Sequence, residues 1–510
     1  MNASDLPCWD WAVLAIYLTG LMGLGLVFGR RNITSDHFMR AGGRVPGWAV
    51  GLSIFGTYVS SISFLALPGK AVAENWNALV FSLSLPVAAW VATRWFVPFY
   101  RAEGEVSAYH HLEARFGAWA RSYAALCYVL TQLARMGTIL YLVALALAPL
   151  TGWDVRVLIV LTGLVTLFYA WTGGVEAVIW ADVVQSIVLL LGAICCAWLL
   201  LVQLPGGVKQ FCEVAVDHGK FGLGSFSLAL SEPTFWVVLL YGLFINLQNF
   251  GIDQNYVQRY VAAESETAAR RSVWLSAWLY LPTSALFLLI GTALFVRYTV
   301  QPELWTAAVP WQEKPDLVFP HFLRTGLPAG FTGLVIAALF AAAQSTLSSS
   351  MNGCATLTLC DGYRRYLRPH ADDRESLRVL RAATLFHGFV GIGVALAMTR
   401  VRSALDAWWE LASVFSGGML GLFLLGQITT RSRKPAAATG VLAGVFAIGW
   451  VSLSRYLPDQ WGAWRSQLHP FLAVVLGTLT IFFTGLLLSR RQSQSVSMTN
   501  RISASRSSSE

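Results

Sequence analysis

The sequence predicts an all-α membrane protein of about thirteen transmembrane helices, and three observations carry that prediction. Of its 510 residues 56% are hydrophobic and only 12% charged, whereas a soluble domain carries roughly 25% charged residues. Mean hydropathy is +0.57. Apolar runs long enough to cross ~30 Å of hydrocarbon then recur along nearly the whole chain.

The runs lie near residues 10–29, 47–69, 76–98, 119–150, 155–172, 175–203, 234–258, 271–298, 330–357, 381–400, 406–427, 436–455 and 467–488. The first is expected to stay as a helix, because Met1 to Asp10 holds no Lys or Arg and no small-residue cleavage site follows. A formal charge of +9 raises the question of nucleic acid, but the basic residues sit in short clusters between apolar runs, where they set membrane orientation. Nucleic acid is therefore excluded as a partner, and the lipid bilayer takes its place. Arg30 and Arg31, Arg101 and Arg115, Arg270 and Arg271, the group Arg364, Arg365, Arg368, Arg374 and Arg378, then Arg431, Arg433, Lys434, Arg490 and Arg491 fall on one side when the spans are threaded alternately. The N terminus is then outside and the C terminus cytoplasmic, with Arg400, Arg402, Arg455 and Arg465 dissenting. Residues 492–510, rich in Ser and Arg, read as a disordered tail. The seven cysteines contain no CxxC and sit mostly inside apolar runs, which points to buried thiols rather than zinc or disulfides.

Within the second run, SIFGTYVSSISFLALPG sets Gly56, Thr57, Ser60, Ser61, Ser63, Pro68 and Gly69 at membrane depth. Such a helix breaks easily, and carbonyls freed by a break need a partner other than lipid, which a cation supplies; a kinked packing helix with back-bonded hydroxyls is the alternative. The ninth run, AALFAAAQSTLSSSMN, has hydroxyls on five of the six residues Ser345 to Ser350. Ala342, Ser345, Thr346 and Ser349 share one helical face with Ser348 beside them, a set of neutral oxygens suited to a hard cation or to close helix packing.

Asp182 follows the Gly173–Gly174 turn in GGVEAVIWADVVQ; a helix starting near Val175 places it roughly 10 Å into the membrane. It marks a functional site or else snorkels to the cytoplasm. Arg135, in the middle of the fourth run, is too deep to snorkel. Three partners are open to it: Asp182, a substrate carboxylate held as a bidentate fork, or backbone carbonyls alone. Asn246, Gln248 and Asn249 in the seventh run, just before DQNYVQRY, add polar groups at similar depth. No Walker A, HExxH or GxSxG occurs, so an enzyme is not expected.

GGVEAVIWADVVQ, AAAQSTLSSSMN and DQNYVQRY resemble the sodium:solute symporter family from about Trp11 to Arg490. AGGRVPGWAVGLSIFGTYVSSISF, YHHLEARFG and the placing of Arg135 most resemble its bacterial sodium-coupled sialic acid transporters. The resemblance implies a LeuT-like fold with two inverted five-helix repeats, at 47–203 and 234–427, preceded by an extra helix within 1–30 and followed by two helices over 436–488. It implies one sodium site on the carbonyls of Gly56, Val59 and Ala342 with the hydroxyls of Ser345 and Thr346, and a second on Asp182, Ser345, Ser348 and Ser349. It implies a solute cleft at Thr57, Tyr58, Ser60, Ser63, Ala78, Ser82 and Arg135, with Arg135 on a carboxylate; Tyr58, Ala78 and Ser82 depart from the threonine, aromatic and glutamine expected there. The expected function is sodium-coupled import of a small solute, such as a carboxylated sugar, across the inner membrane with two sodium ions. A neutral sugar, another small carboxylate or a nutrient-sensing role are the alternatives, and the oligomeric state is open.

Overall fold

The computed structural model describes residues 7–30, 34–307, 310–313, 315–328, 330–400, 417–429 and 434–507. Among them there is no β-strand, only an isolated bridge between Val45 and Ala263. Among the described residues ten helices are long and apolar enough to cross a membrane, or eleven when a bent pair counts as one span. The excess of expected spans has two sources. One helix, Val155–Val202, is 48 residues long, ~72 Å if straight and more than twice the hydrocarbon thickness. It is folded at Gly174 (φ 54°, ψ −157°), a conformation open to glycine, and a β-carbon there would meet the Phe38 carbonyl at 2.8 Å. The two runs expected at 155–172 and 175–203 are thus its two arms. The run expected at 406–427 is represented by Met419–Ile428, its earlier part lying outside the described residues.

The principal helices are α1 (Cys8–Gly29), α2 (Gly47–Tyr58), α3 (Ser61–Ala73), α4 (Trp76–Glu103), α5 (Ala118–Thr151), α6 (Val155–Val202), α7 (Phe235–Ile252), α8 (Gln254–Ala262), α9 (Glu266–Val300), α10 (Phe331–Leu367), α11 (Asp373–Met398), α12 (Met419–Ile428), α13 (Lys434–Leu453) and α14 (Leu472–Ser507). Helix α14 carries helical backbone through 492–507, where the sequence reads as a disordered tail; that stretch contains neither Pro nor Gly to stop a helix already under way.

Two interruptions position the site. The second span is broken into α2 and α3, bent by 57°, and the seventh into α7 and α8, where Asp253 (φ −74°, ψ 125°) leaves the helix and its carboxylate caps the Asn255 amide at 2.8 Å. Both breaks are enclosed: α10 lies against α6, α5 and α2, and α9 packs along α2 and α3. Irregular backbone at membrane depth survives only inside such a protein shell. The outer surface is apolar, with Trp48, Trp90, Trp95, Trp198 and Trp278 exposed, as lipid contact allows.

Candidate functional site

Helix α2 ends because Val59 (φ −77°, ψ 106°) and Ser60 (φ −101°, ψ 168°) are extended. The carbonyls at its end therefore lack the amides that a continuing helix would bring. Helix α10 meets them: the Ser345 hydroxyl donates to Gly56 O at 2.7 Å and the Thr346 hydroxyl to Thr57 O at 3.3 Å. The same hydroxyls lie 3.4 and 3.5 Å from Ala342 O. Gly56, Ala342, Ser345 and Thr346 thus bring four neutral oxygens together at the break opened by Val59. Gly56 also lets α6 pack closely on this end of α2, since an added β-carbon would lie 2.7 Å from Ser186 Oγ.

Asp182, on the second arm of α6, is fully buried, and its partner is not Arg135. Its Oδ2 accepts the Arg259 guanidinium at 2.7 Å and the Ser53 hydroxyl at 2.5 Å. Arg259, on α8 and also buried, donates further to Ser53 Oγ at 2.7 Å, Ser349 Oγ at 2.6 Å and Asn255 O at 2.8 Å. Ser349 and Ser348 in turn donate to Ser345 O at 2.8 and 3.2 Å. The residues of the expected second sodium site are therefore gathered, with a guanidinium set between the carboxylate and Ser349. Asp182 Oδ1 keeps no partner. The motif DQNYVQRY contains both Asp253 and Arg259, yet local spacing gives neither a partner. An apolar run over 234–258 sets Arg259 at the interface, whereas after the break at Asp253 the whole of α8, Arg259 included, is buried in the protein.

Arg135 is half-buried at mid-helix in α5. Its Nη2 reaches Thr57 O at 3.4 Å, and among the described residues no carboxylate forms an ion pair with it. Of the three partners open to it, the carbonyl is the one present. Gln132, one turn away, lies 3.4 Å from Asp253 Oδ2, so the two broken spans and α5 face one another here. The Tyr58 hydroxyl donates to Asn246 Oδ1, and Asn246 Nδ2 donates to Ser84 Oγ at 2.8 Å. The Tyr58 ring stands edge-on to Tyr280 with centroids 4.5 Å apart. Ser63 neighbours the Tyr280 phenol, and Ser60 is buried at the start of α3. Thr57 and Ser82 are engaged elsewhere, Thr57 with Ser349 Oγ at 3.0 Å and Ser82 with Ser284 Oγ at 2.9 Å. Ala78 is half-buried in the first turn of α4.

The model of the sodium:solute symporter family matches residues 38–444. The chain is 32% identical over 488 residues to a sodium/sialic acid symporter of Proteus mirabilis, covering 95% of each. It is 31% identical over 494 residues to one of Aliivibrio fischeri, covering 96% of this chain and 94% of that one. Among solved structures, a substrate-bound, outward-open sodium-coupled sialic acid symporter superposes with a TM-score of 0.86 at 31% identity, over 95% of this chain and 98% of that one. A nucleobase-cation-symport-1 transporter shares the fold alone, with a TM-score of 0.52 at 16% identity over 90% and 94%.

Proposed function

The chain belongs to the sodium:solute symporter family, and from that membership we propose that it imports an acidic sugar of the N-acetylneuraminic type together with sodium. Its fold is LeuT-like and it is a multi-pass membrane transporter. The single observation that carries the substrate class is Arg135: a guanidinium held mid-membrane at the break of the second span, half-buried and, among the described residues, hydrogen-bonded to a backbone carbonyl but in no ion pair. A charge at that depth is costly unless something meets it, and a solute carboxylate in a bidentate fork meets it best. Both relatives named above are sialic acid symporters, which supports the same class.

In this reading the oxygens of Gly56, Val59, Ala342, Ser345 and Thr346 hold the first sodium ion. That ion ties α2 to α10, fixes the break, and so presents Arg135 and the Tyr58–Asn246 pair to the solute. Binding is reciprocal, so solute also tightens sodium. Asp182, Ser345, Ser348 and Ser349 hold a second ion once Arg259 yields its place. Two sodium ions with one monoanion carry one net positive charge inward, driven by ~2.3 kcal/mol per 100 mV. The protein lies in the inner membrane with its N terminus outside and its C terminus in the cytoplasm. The test is uptake of labelled N-acetylneuraminic acid into proteoliposomes with and without a sodium gradient, beside a neutral sugar and the Arg135→Ala variant. Uptake requiring both sodium and Arg135 supports the reading; sodium-driven uptake indifferent to Arg135 overturns it.

A further inference from the structure

Three carboxylates buried in the bundle have settled partners. Asp10 accepts the amides of Gly330 and Gly333 at 2.9 and 2.6 Å at the start of α10, Asp182 pairs with Arg259, and Asp361 pairs with Arg121. Asp253 is different. It stands where the seventh span breaks, half-buried, with Oδ1 accepting the Asn255 amide at 2.8 Å and Oδ2 lying 3.4 Å from Gln132 Nε2. Among the described residues it makes no ion pair. An amide cap and one long hydrogen bond leave most of a carboxylate's accepting capacity unused.

The nearest candidate for that capacity is Arg135. Gln132 and Arg135 are three residues apart on the continuous helix α5, so their side chains leave adjacent positions on one face, with β-carbons about 5–6 Å apart. The shorter of the two, Gln132, already touches Asp253. Arg135 is also the charge that acts most strongly on the Asp253 carboxylate, ahead of Arg259, and on the Tyr256 phenol in the following turn of α8. A guanidinium at the break of the second span and a carboxylate at the break of the seventh are thus neighbours, and neither is in an ion pair among the described residues.

Transport gives such a couple a use. While solute is bound, its carboxylate meets Arg135; after release, the fork is empty, and the cleft must close and turn outward again with a bare charge inside it. A lone charge at membrane depth is costly, and it is costlier still in a closed cleft from which water has been expelled. We propose that Asp253 is the partner of Arg135 during the return of the empty carrier: the guanidinium turns from Thr57 O to the Asp253 carboxylate, and an incoming solute carboxylate displaces Asp253 from the fork. The proposal rests on the acidic-sugar reading. It makes Asp253 a competitor of the solute for Arg135 rather than one of the solute's ligands, so its charge matters to one half of the cycle only.

That asymmetry is what the experiment reads. Asp253→Asn and Asp253→Ser both keep an oxygen to cap the Asn255 amide while removing the charge. Proteoliposomes filled with sodium and unlabelled N-acetylneuraminic acid measure exchange against the labelled acid outside, for which the carrier crosses loaded in both directions. Proteoliposomes without internal solute, under an inward sodium gradient, measure net uptake, for which the carrier must return empty at every turnover. Net uptake is expected to fall about 10- to 100-fold in both variants, with exchange within about twofold of wild type. Net uptake within twofold of wild type overturns the proposal. So does a parallel fall of exchange and net uptake, since Asp253 would then serve the solute or the fold. Wild type that neither exchanges nor accumulates the acid overturns the acidic-sugar reading and this proposal with it, whereas wild type active in both assays leaves the variants to decide on Asp253 alone.

Discussion

Replacing Arg259 by Met should convert a salt-insensitive part of the structure into a sodium-sensitive one. In the native chain the Asp182 carboxylate, fully buried, is neutralised by Arg259 at 2.7 Å and steadied by Ser53 at 2.5 Å. Arg259→Met keeps the volume and removes the charge, leaving a buried carboxylate with one hydroxyl. Breaking one side of such a pair costs about 3–5 kcal/mol. A sodium ion entering beside Asp182, Ser345, Ser348 and Ser349 would restore neutrality, returning ~2.7 kcal/mol when sodium stands at a hundred times its dissociation constant. Thermal unfolding of the purified protein in sodium and in choline buffer reads both quantities. The variant should be much less stable than wild type in choline and should gain more from sodium than wild type does, the first sodium site contributing equally to both. Asp182→Asn combined with Arg259→Met should recover most of the choline deficit and lose the extra sodium response. A single variant as stable as wild type in choline, or one that sodium stabilises no more than wild type, would refute the argument that Arg259 stands in the place of a cation.

Arg135→Lys keeps the charge but not the planar fork, and should weaken solute binding ~10- to 100-fold by loss of one charge-assisted hydrogen bond, with sodium binding in solute-free protein unaltered; isothermal titration checks both. Asp182→Asn should lower the steepness of sodium activation of uptake, and an unchanged sodium curve would remove Asp182 from the ion's ligands. Solute addition to sodium-loaded proteoliposome layers should produce an inward current, with its absence contradicting a net charge per cycle. Lys220, in the loop between α6 and α7, caps the end of α3 by donating to Val72 O at 2.7 Å and Glu74 O at 3.0 Å, and burial lowers its pKa to about 8. The unfolded chain holds that proton up to about 10.5, so between those values it binds more protons than the fold and stability rises with pH; melting at pH 7.5 and 9.5 should show this gain in wild type and not in Lys220→Met.

What the sequence made legible is what hydrophobic length and local composition encode. The long apolar runs have helical counterparts because a chain in lipid has no other way to satisfy its backbone there. The hydroxyl-rich face of α10 was readable because its residues are neighbours at helical spacing, and the structure sets Ser345 and Thr346 against the carbonyls of Gly56 and Thr57. Even the break at Val59 was announced, by Gly, Ser and Thr crowded into one span.

The pairing of charges was not legible, for a reason that lies in topology. Asp182 and Arg259 are 77 residues apart, on helices whose approach is set by a fold at Gly174 and a break at Asp253. Local spacing speaks of one helix face at a time, so it could offer Asp182 only as one of three open partners for Arg135, and it left Arg259 at the rim. The difference matters for function. Had Asp182 neutralised Arg135, the cleft would hold no spare positive charge and a neutral solute would suit it. Because Arg259 takes Asp182, Arg135 keeps a carbonyl contact at 3.4 Å and, among the described residues, no ion pair, which on the proposed reading leaves its fork open to a solute carboxylate. On the proposed reading the buried Asp182–Arg259 pair thereby bears on both sites, standing in the place of the second cation and leaving Arg135 to the solute.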